Sequence, residues 1–249
     1  MNIPNTFYIY GKKPVEEILQ SRTTEIEKVF IKNTISPNSY QHISEIAEDN
    51  QIPVVKVPVQ KISNLVGRVN DQGFVALLSQ IKYLKFFEWF ETLEMDTKPA
   101  VLLLDGIEDP HNMGAIIRSA TAAGISAIII PMQNQTPINA TVFKTSAGTA
   151  GLIPVIRVQD TNQGYKDLKL AGFSIVGLDG NAQKTFWDTT FDAPTAFLIG
   201  NEGKGINKKL IAGCDEVVKF PMENDVESLN ASVSAALICY EWKRQHSQS

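Results

Sequence analysis

Apolar positions along the chain fall into two stretches of alternating strand-like and helix-like texture. In the first, residues 14–21 open with a proline and read as a short helix. Lys28-Val29-Phe30-Ile31 reads as a strand, residues 40–50 as a helix, and residues 53–57 and 73–79 as two further strands. The last of these, GFVALLS, is apolar enough for the centre of a sheet. Together they predict a compact αβ domain over residues 1–80. Residues 81–98 change texture: Phe86, Phe90 and Leu93 recur at helical spacing with Glu88, Glu91 and Glu94 between them. This predicts a linker helix whose aromatic stripe packs on one of the domains. Base stacking by Phe87 or Trp89 is the alternative, and the interleaved glutamates weigh against it because they repel phosphate.

Residues 99–249 carry the stronger pattern. Residues 100–105 (AVLLLD) form an uninterrupted apolar run, as a strand buried in a parallel sheet requires. Residues 114–123 read as a helix of small and apolar residues stopped by Gly124, and residues 127–130 as the next strand, completing a right-handed βαβ unit. Further strands are expected at 153–158, 174–178, 196–200 and 217–220, and a final helix at 229–244 with Lys243 and Arg244 near its negative end. The fold class is therefore α/β, with a small αβ domain ahead of a larger open sheet.

Composition narrows the function. Two cysteines, Cys214 and Cys239, cannot build a disulfide framework or a zinc site. His42, His111 and His246 are scattered without ligand spacing, so no metal is expected. No apolar run approaches the ~18–20 residues that span a bilayer. The first residues lack the cationic start and apolar stretch of a secretory signal, so a cytoplasmic protein without membrane contact is expected. The net charge of −4 gives no global attraction to nucleic acid, and neither half is basic. Any nucleic-acid contact must rest on local patches, with Lys12, Lys13, Arg22, Lys144 and Lys204 as candidates.

Three polar clusters follow strand ends, where open α/β sheets place ligands. In DGIEDPHNMGAIIRSA, Asn112 can cap a helix, Gly114 permits close approach, and Arg118 sits mid-helix among small residues. Arg118 faces either a site or open solvent on the outer side of its helix. In FLIGNEGKG, a strand runs into Gly200, Gly203 and Gly205 around Asn201 and Glu202. This is neither GxGxxG nor GxxxxGK[ST], so it fits a ligand without phosphates and disfavours a nicotinamide dehydrogenase. In KFPMENDVESLNASVSAA, Ser228 is a natural N-cap, while Asn230 is a weak helix former whose amide is expected to serve another purpose. No His or second carboxylate accompanies Ser228, so a Ser-His-Asp hydrolase is disfavoured.

Taken together, Asn112-x-Gly114-x-x-x-Arg118, Gly200-Asn201-Glu202-Gly203-x-Gly205 and Pro221-Met222…Ser228-Leu229-Asn230-x-Ser232 resemble the three ordered motifs of the SpoU (TrmH-type) RNA ribose 2′-O-methyltransferases of the SPOUT superfamily. YGKKPVEEIL and NDQGFVAL are similar to the ribosomal-protein-like substrate-binding domain of the two-domain subgroup, which includes an enzyme forming 2′-O-methylguanosine in 23S rRNA. The resemblance implies a deep trefoil knot, S-adenosylmethionine bound in it, and a homodimer with RNA crossing both subunits. It implies cofactor contacts at Gly200, Gly203, Phe220, Met222 and Leu229, and a catalytic surface of Asn112, Arg118, Glu202, Ser228 and Asn230. It favours rRNA over tRNA as substrate; a catalytically idle RNA-binding assembly factor is the competing reading. One departure stands out. Where the third motif usually has a glycine after Pro-Met, this chain reads Glu223-Asn224-Asp225, and asparagine is the residue next most tolerant of the left-handed turn.

Overall fold

The computed structural model describes residues 7–20, 26–78, 83–201, 203, 205–224 and 226–247. Two compact units emerge, one of residues 1–82 with 138–152, the other of residues 83–137 with 153–249.

The first unit contains β1 (Phe7–Tyr10), α1 (Lys12–Gln20), β2 (Ile26–Lys32), α2 (Pro37–Asp49), β3 (Val54–Val57), α3 (Val59–Val66) and β4 (Phe74–Leu78). Its sheet has the order β1-β4-β2-β3, with the apolar β4 antiparallel to β1 and β2. The NDQG turn ahead of β4 has a physical reason. The buried Asp71 carboxylate accepts from the Gly73 amide at 2.6 Å and pairs with Lys32 at 2.7 Å. Gly73 has φ +87, and a Cβ there would lie 2.3 Å from Ile35. The helix expected from residue 40 begins at Pro37, capped by Ser36. β1 and α3 were not foreseen.

The second unit holds α4 (Phe86–Phe90), β5 (Ala100–Asp105), α5 (Pro110–Ala123) and β6 (Ala127–Pro131). The short α6 (Ala140–Thr145) belongs to the first unit. The second unit then continues with β7 (Val155–Val158), α7 (Thr161–Leu170), β8 (Ser174–Leu178), β9 (Lys184–Thr185), β10 (Thr195–Gly200), α8 (Lys208–Ile211), β11 (Glu216–Lys219) and α9 (Ala231–His246). The sheet order is β7-β6-β5-β10-β8-β11-β9, all pairs parallel. Central β5 and β6 are apolar because helices cover both faces; residues 100–104 have no solvent exposure. Removing one such leucine to alanine costs about 2–5 kcal/mol. The linker helix is shorter than expected, ending at Phe90 before Thr92 Oγ1 turns back to the Trp89 carbonyl. Phe86 and Trp89 are buried in the core of this unit, which answers the stacking alternative for Trp89; Phe87 is exposed.

α5 and α9 pack side by side and parallel. Asn230 at the start of α9 reaches Asn112 in the first turn of α5, and Lys243 near the end of α9 donates to the Ala122 carbonyl at 3.0 Å. The cation therefore sits where the last carbonyls of α5 lack partners.

Candidate functional site

Because every strand of the large sheet runs the same way, the loops after β5, β10, β8 and β11 leave from one edge. Gly200 pairs in register with Asp105, so the first two polar clusters start side by side. Asp105 accepts from the Thr161 hydroxyl at 2.6 Å. Gly200 is required by packing: a Cβ there would lie 2.5 Å from the carbonyl carbon of Gly205. The loop folds back so tightly because the Gly205 amide donates to the Asn201 carbonyl at 2.8 Å. The Asn201 side chain points both ways, accepting from the Gly203 amide at 2.8 Å and donating to the Gly106 carbonyl at 2.8 Å. Glu202, expected in the catalytic surface, lies outside the described residues, as do Lys204 and Arg22.

The first cluster begins α5 four residues earlier than its spacing suggested. Asp109, not Asn112, is the N-cap; its carboxylate accepts from the His111 amide at 2.9 Å, and Pro110 occupies the first helical turn. That frees the Asn112 side-chain oxygen, Oδ1, to accept from Asn230 Nδ2. Gly114 is buried, in keeping with close approach. Arg118 is exposed, on an outward stripe of α5 with His111, Ala115 and Ala122. Of the two orientations open from sequence, the single chain shows the solvent-facing one.

The third cluster also moves its helix start. Ser228, expected as the N-cap, is exposed two positions before it; Asn230 is the cap. Its Oδ1 accepts from the Ser232 amide at 2.9 Å, the Ser232 hydroxyl at 2.6 Å and the Val233 amide at 3.4 Å. Its Nδ2 donates to Asn112 at 3.0 Å, so the amide of this weak helix former is used twice. Phe220 is buried, its ring 5.1 Å from that of Phe186 and 5.8 Å from that of Trp187. Met222 and Leu229 are half-buried. Asn224 has φ 56, so the glycine replacement adopts the left-handed turn it was expected to tolerate. The loop returns beside the end of β8, where a Cβ on Gly180 would lie 3.8 Å from the Glu227 carbonyl.

The structure thus joins Asn112 with Asn230, and Gly200 with Gly203 through Asn201. It leaves Arg118 and Ser228 exposed. Sequence reading passed over Asn201 as a residue with its own role, although an Asn-x-Gly turn between two motif positions is the signal for a side chain that bonds its own loop. Both thiols sit elsewhere: burial pushes Cys214, at the opposite sheet edge, up to about 11 and Cys239, inside α9, up to about 12. Neither is a nucleophile at neutral pH. Among the described residues no group of three or more His, Cys, Asp or Glu is placed to hold a metal, and no helix is long and apolar enough to cross a membrane.

A parallel sheet whose three polar loops leave from one glycine-lined edge is the ligand-binding architecture of an open α/β protein. The same fold is seen in an AdoMet-bound rRNA methyltransferase from Sinorhizobium meliloti (TM-score 0.80, 22% identity, 98% of this chain and 89% of that one). It is seen also in the SpoU methyltransferase AviRb from Streptomyces viridochromogenes (TM-score 0.78, 22% identity, 97% and 90%). The chain belongs to the SpoU rRNA methylase family, whose sequence pattern matches residues 99–240. Residues 8–84 match the substrate-binding domain of RNA 2′-O-ribose methyltransferases. Among its relatives are a Staphylococcus haemolyticus protein assigned to the TrmH family of tRNA/rRNA methyltransferases (34% identity, 96% of both chains) and YacO of Bacillus subtilis, assigned likewise (35% identity, 96% of this chain and 95% of that one). The protein is an RNA methyltransferase of this family.

Proposed function

We propose that the protein transfers a methyl group from S-adenosylmethionine to a ribose 2′-hydroxyl, that of a guanosine in 23S rRNA, and that it works as a cytoplasmic homodimer. The observation that carries this reading is the Asn230–Asn112 hydrogen bond, which joins the first and third motifs at the glycine-lined edge. The edge fits the donor. Beyond Gly200, among the described residues a Cβ on Gly203 would meet only Asn201 Oδ1, at 3.5 Å, and one on Gly180 only the Glu227 carbonyl, at 3.8 Å. Exposed backbone of this kind suits an adenosine-like ligand without phosphates. Strand β10 enters between β5 and β8, which supports the knotted threading that the resemblance implies.

The donor, when bound, supplies an electrophilic methyl group on a sulfonium. Everything else falls to this chain. A ribose hydroxyl is a weak nucleophile, so charge growing on its oxygen must be stabilised. A guanidinium stays protonated near neutrality and serves poorly as a base, so Arg118 acts as the electrostatic partner of that oxygen and of the adjacent phosphate. Asn112 and Asn230 hold the two helix starts in one geometry, and Ser228 and Asn230 orient the ribose hydroxyl. Glu202 takes its positioning role from the resemblance alone, and Gly200, Gly203, Phe220, Met222 and Leu229 form the donor's seat. Arg118 is solvent-facing in one chain, on a stripe of small residues, and neighbouring α9 exposes Val233 and Tyr240. A second copy covering this face would bring Arg118 to a site, which supports the homodimer.

The test is incubation of purified protein with methyl-labelled S-adenosylmethionine and undermodified bulk rRNA or tRNA, followed by digestion to nucleosides. Label in 2′-O-methylguanosine from 23S rRNA supports the reading. Label in tRNA keeps the chemistry and overturns the substrate. Donor binding absent altogether points to the idle assembly factor.

A further inference from the structure

We infer that Asn201 is a positioning residue that couples the donor's loop to the segment leading into α5. This rests on the methyltransferase reading above and adds a residue to it. The carboxamide is the only kind of side chain of its size that offers both an acceptor and a donor at fixed separation. Here its oxygen takes the Gly203 amide at 2.8 Å and its nitrogen reaches the Gly106 carbonyl at 2.8 Å. Its backbone carbonyl holds the Gly205 amide at 2.8 Å, so the residue is fixed at three points. Gly106 is the first residue beyond β5 and has φ +80; the next residue, Ile107, donates its amide to Gln135 at 2.9 Å. Asp109 and Asn112 follow within six residues. One side chain therefore transmits the shape of the glycine loop to the start of α5, where Asn112 meets Asn230.

The two halves of the carboxamide can be separated by chemistry. Asn201→Asp keeps an oxygen for the Gly203 amide and places a second oxygen against the Gly106 carbonyl. Asn201→Ala removes both bonds. Two readouts are made on the full-length protein: S-adenosylmethionine affinity by calorimetry together with turnover at saturating donor, and amide hydrogen exchange of residues 106–113 in ligand-free protein. For Asn201→Asp the expected result is donor affinity within about twofold of wild type, turnover about tenfold lower, and exchange over 106–113 about tenfold faster, the worth of one such hydrogen bond. For Asn201→Ala donor affinity falls as well. Unchanged exchange over 106–113 in Asn201→Asp overturns the coupling whatever the activity. Equal loss of donor affinity and turnover in both variants overturns it too, because that marks a merely structural residue. A wild-type protein that neither binds the donor nor transfers methyl refutes the methyltransferase reading, and the exchange result still decides for or against the coupling itself.

Discussion

Asn230 gives the sharpest test of how this site is held, because one side chain has two separable tasks. It caps α9 through Oδ1 and links to Asn112 through Nδ2. Loss of an N-cap costs about 1 kcal/mol, and loss of one neutral hydrogen bond about 1 kcal/mol. Serine is a good N-cap but is too short to reach Asn112. Asn230→Ser should therefore destabilise by about 1 kcal/mol and Asn230→Ala by about 2 kcal/mol. In a chain of this size each kilocalorie is about 2–4 °C in Tm. Urea denaturation gives the stabilities, and methyl transfer to undermodified rRNA gives the turnover. If the link positions the site, both variants lose turnover by about 100-fold, since a small misplacement is enough. A cycle with Asn112→Ala isolates the pair: the double variant Asn112→Ala/Asn230→Ser should lose about 1 kcal/mol less than the sum of the two single losses. Strict additivity, or wild-type turnover in Asn230→Ser, would refute the reasoning.

Further outcomes follow from other parts of the molecule. Arg118→Ala should abolish turnover while leaving donor affinity, measured by calorimetry, nearly unchanged; equal loss of both would mark Arg118 as structural. Asn224 has φ 56, so Asn224→Gly should be neutral or slightly stabilising, whereas Asn224→Val should cost about 1–2 kcal/mol by urea denaturation. The thiols of Cys214 and Cys239, pushed up to about 11 and about 12, should resist iodoacetamide at pH 8 in the native protein and react on unfolding. The sign of the linked pH effect is fixed by the same shifts. Unfolded thiols ionise near an ordinary value of about 8.5 while the buried ones stay protonated, so this contribution is fully present below that value and is lost as pH rises through it toward the native values.

The sheet was largely legible because a doubly covered parallel strand announces itself: residues 100–105 and 127–130 are apolar without a break, and they appear as β5 and β6. Helix α7 was not legible. TNQGYKDLKL is polar, and its Gly164 interrupts the pattern; the reason for that glycine is three-dimensional, since a Cβ there would press on Leu103 at 3.0 Å and Val158 at 3.2 Å. Helix starts in the second unit were misplaced for a related reason. Ser228 and Asn230 are both good caps, and the choice between them is made by Asn112, 118 positions away. Asp109 and Asn112 pose the same ambiguity at α5, resolved by the same bond. The three motifs were readable as residue types in order, while the Asn201 bond that joins two of them depends on Gly106, 95 positions earlier.

The bond between Asn112 and Asn230 also orders events in time. α5 is made early in the second unit, yet its first turn gains its partner only after another 118 residues have been added and folded back. The clasp at the other end of the helix pair, Lys243 on the Ala122 carbonyl, comes later still. A nascent chain that has already formed β5 through β11 carries every strand of the sheet and two of the three loops, but not the contact that fixes them. On the proposed reading, in which this contact positions the site, methyl transfer should wait until α9 has docked on α5.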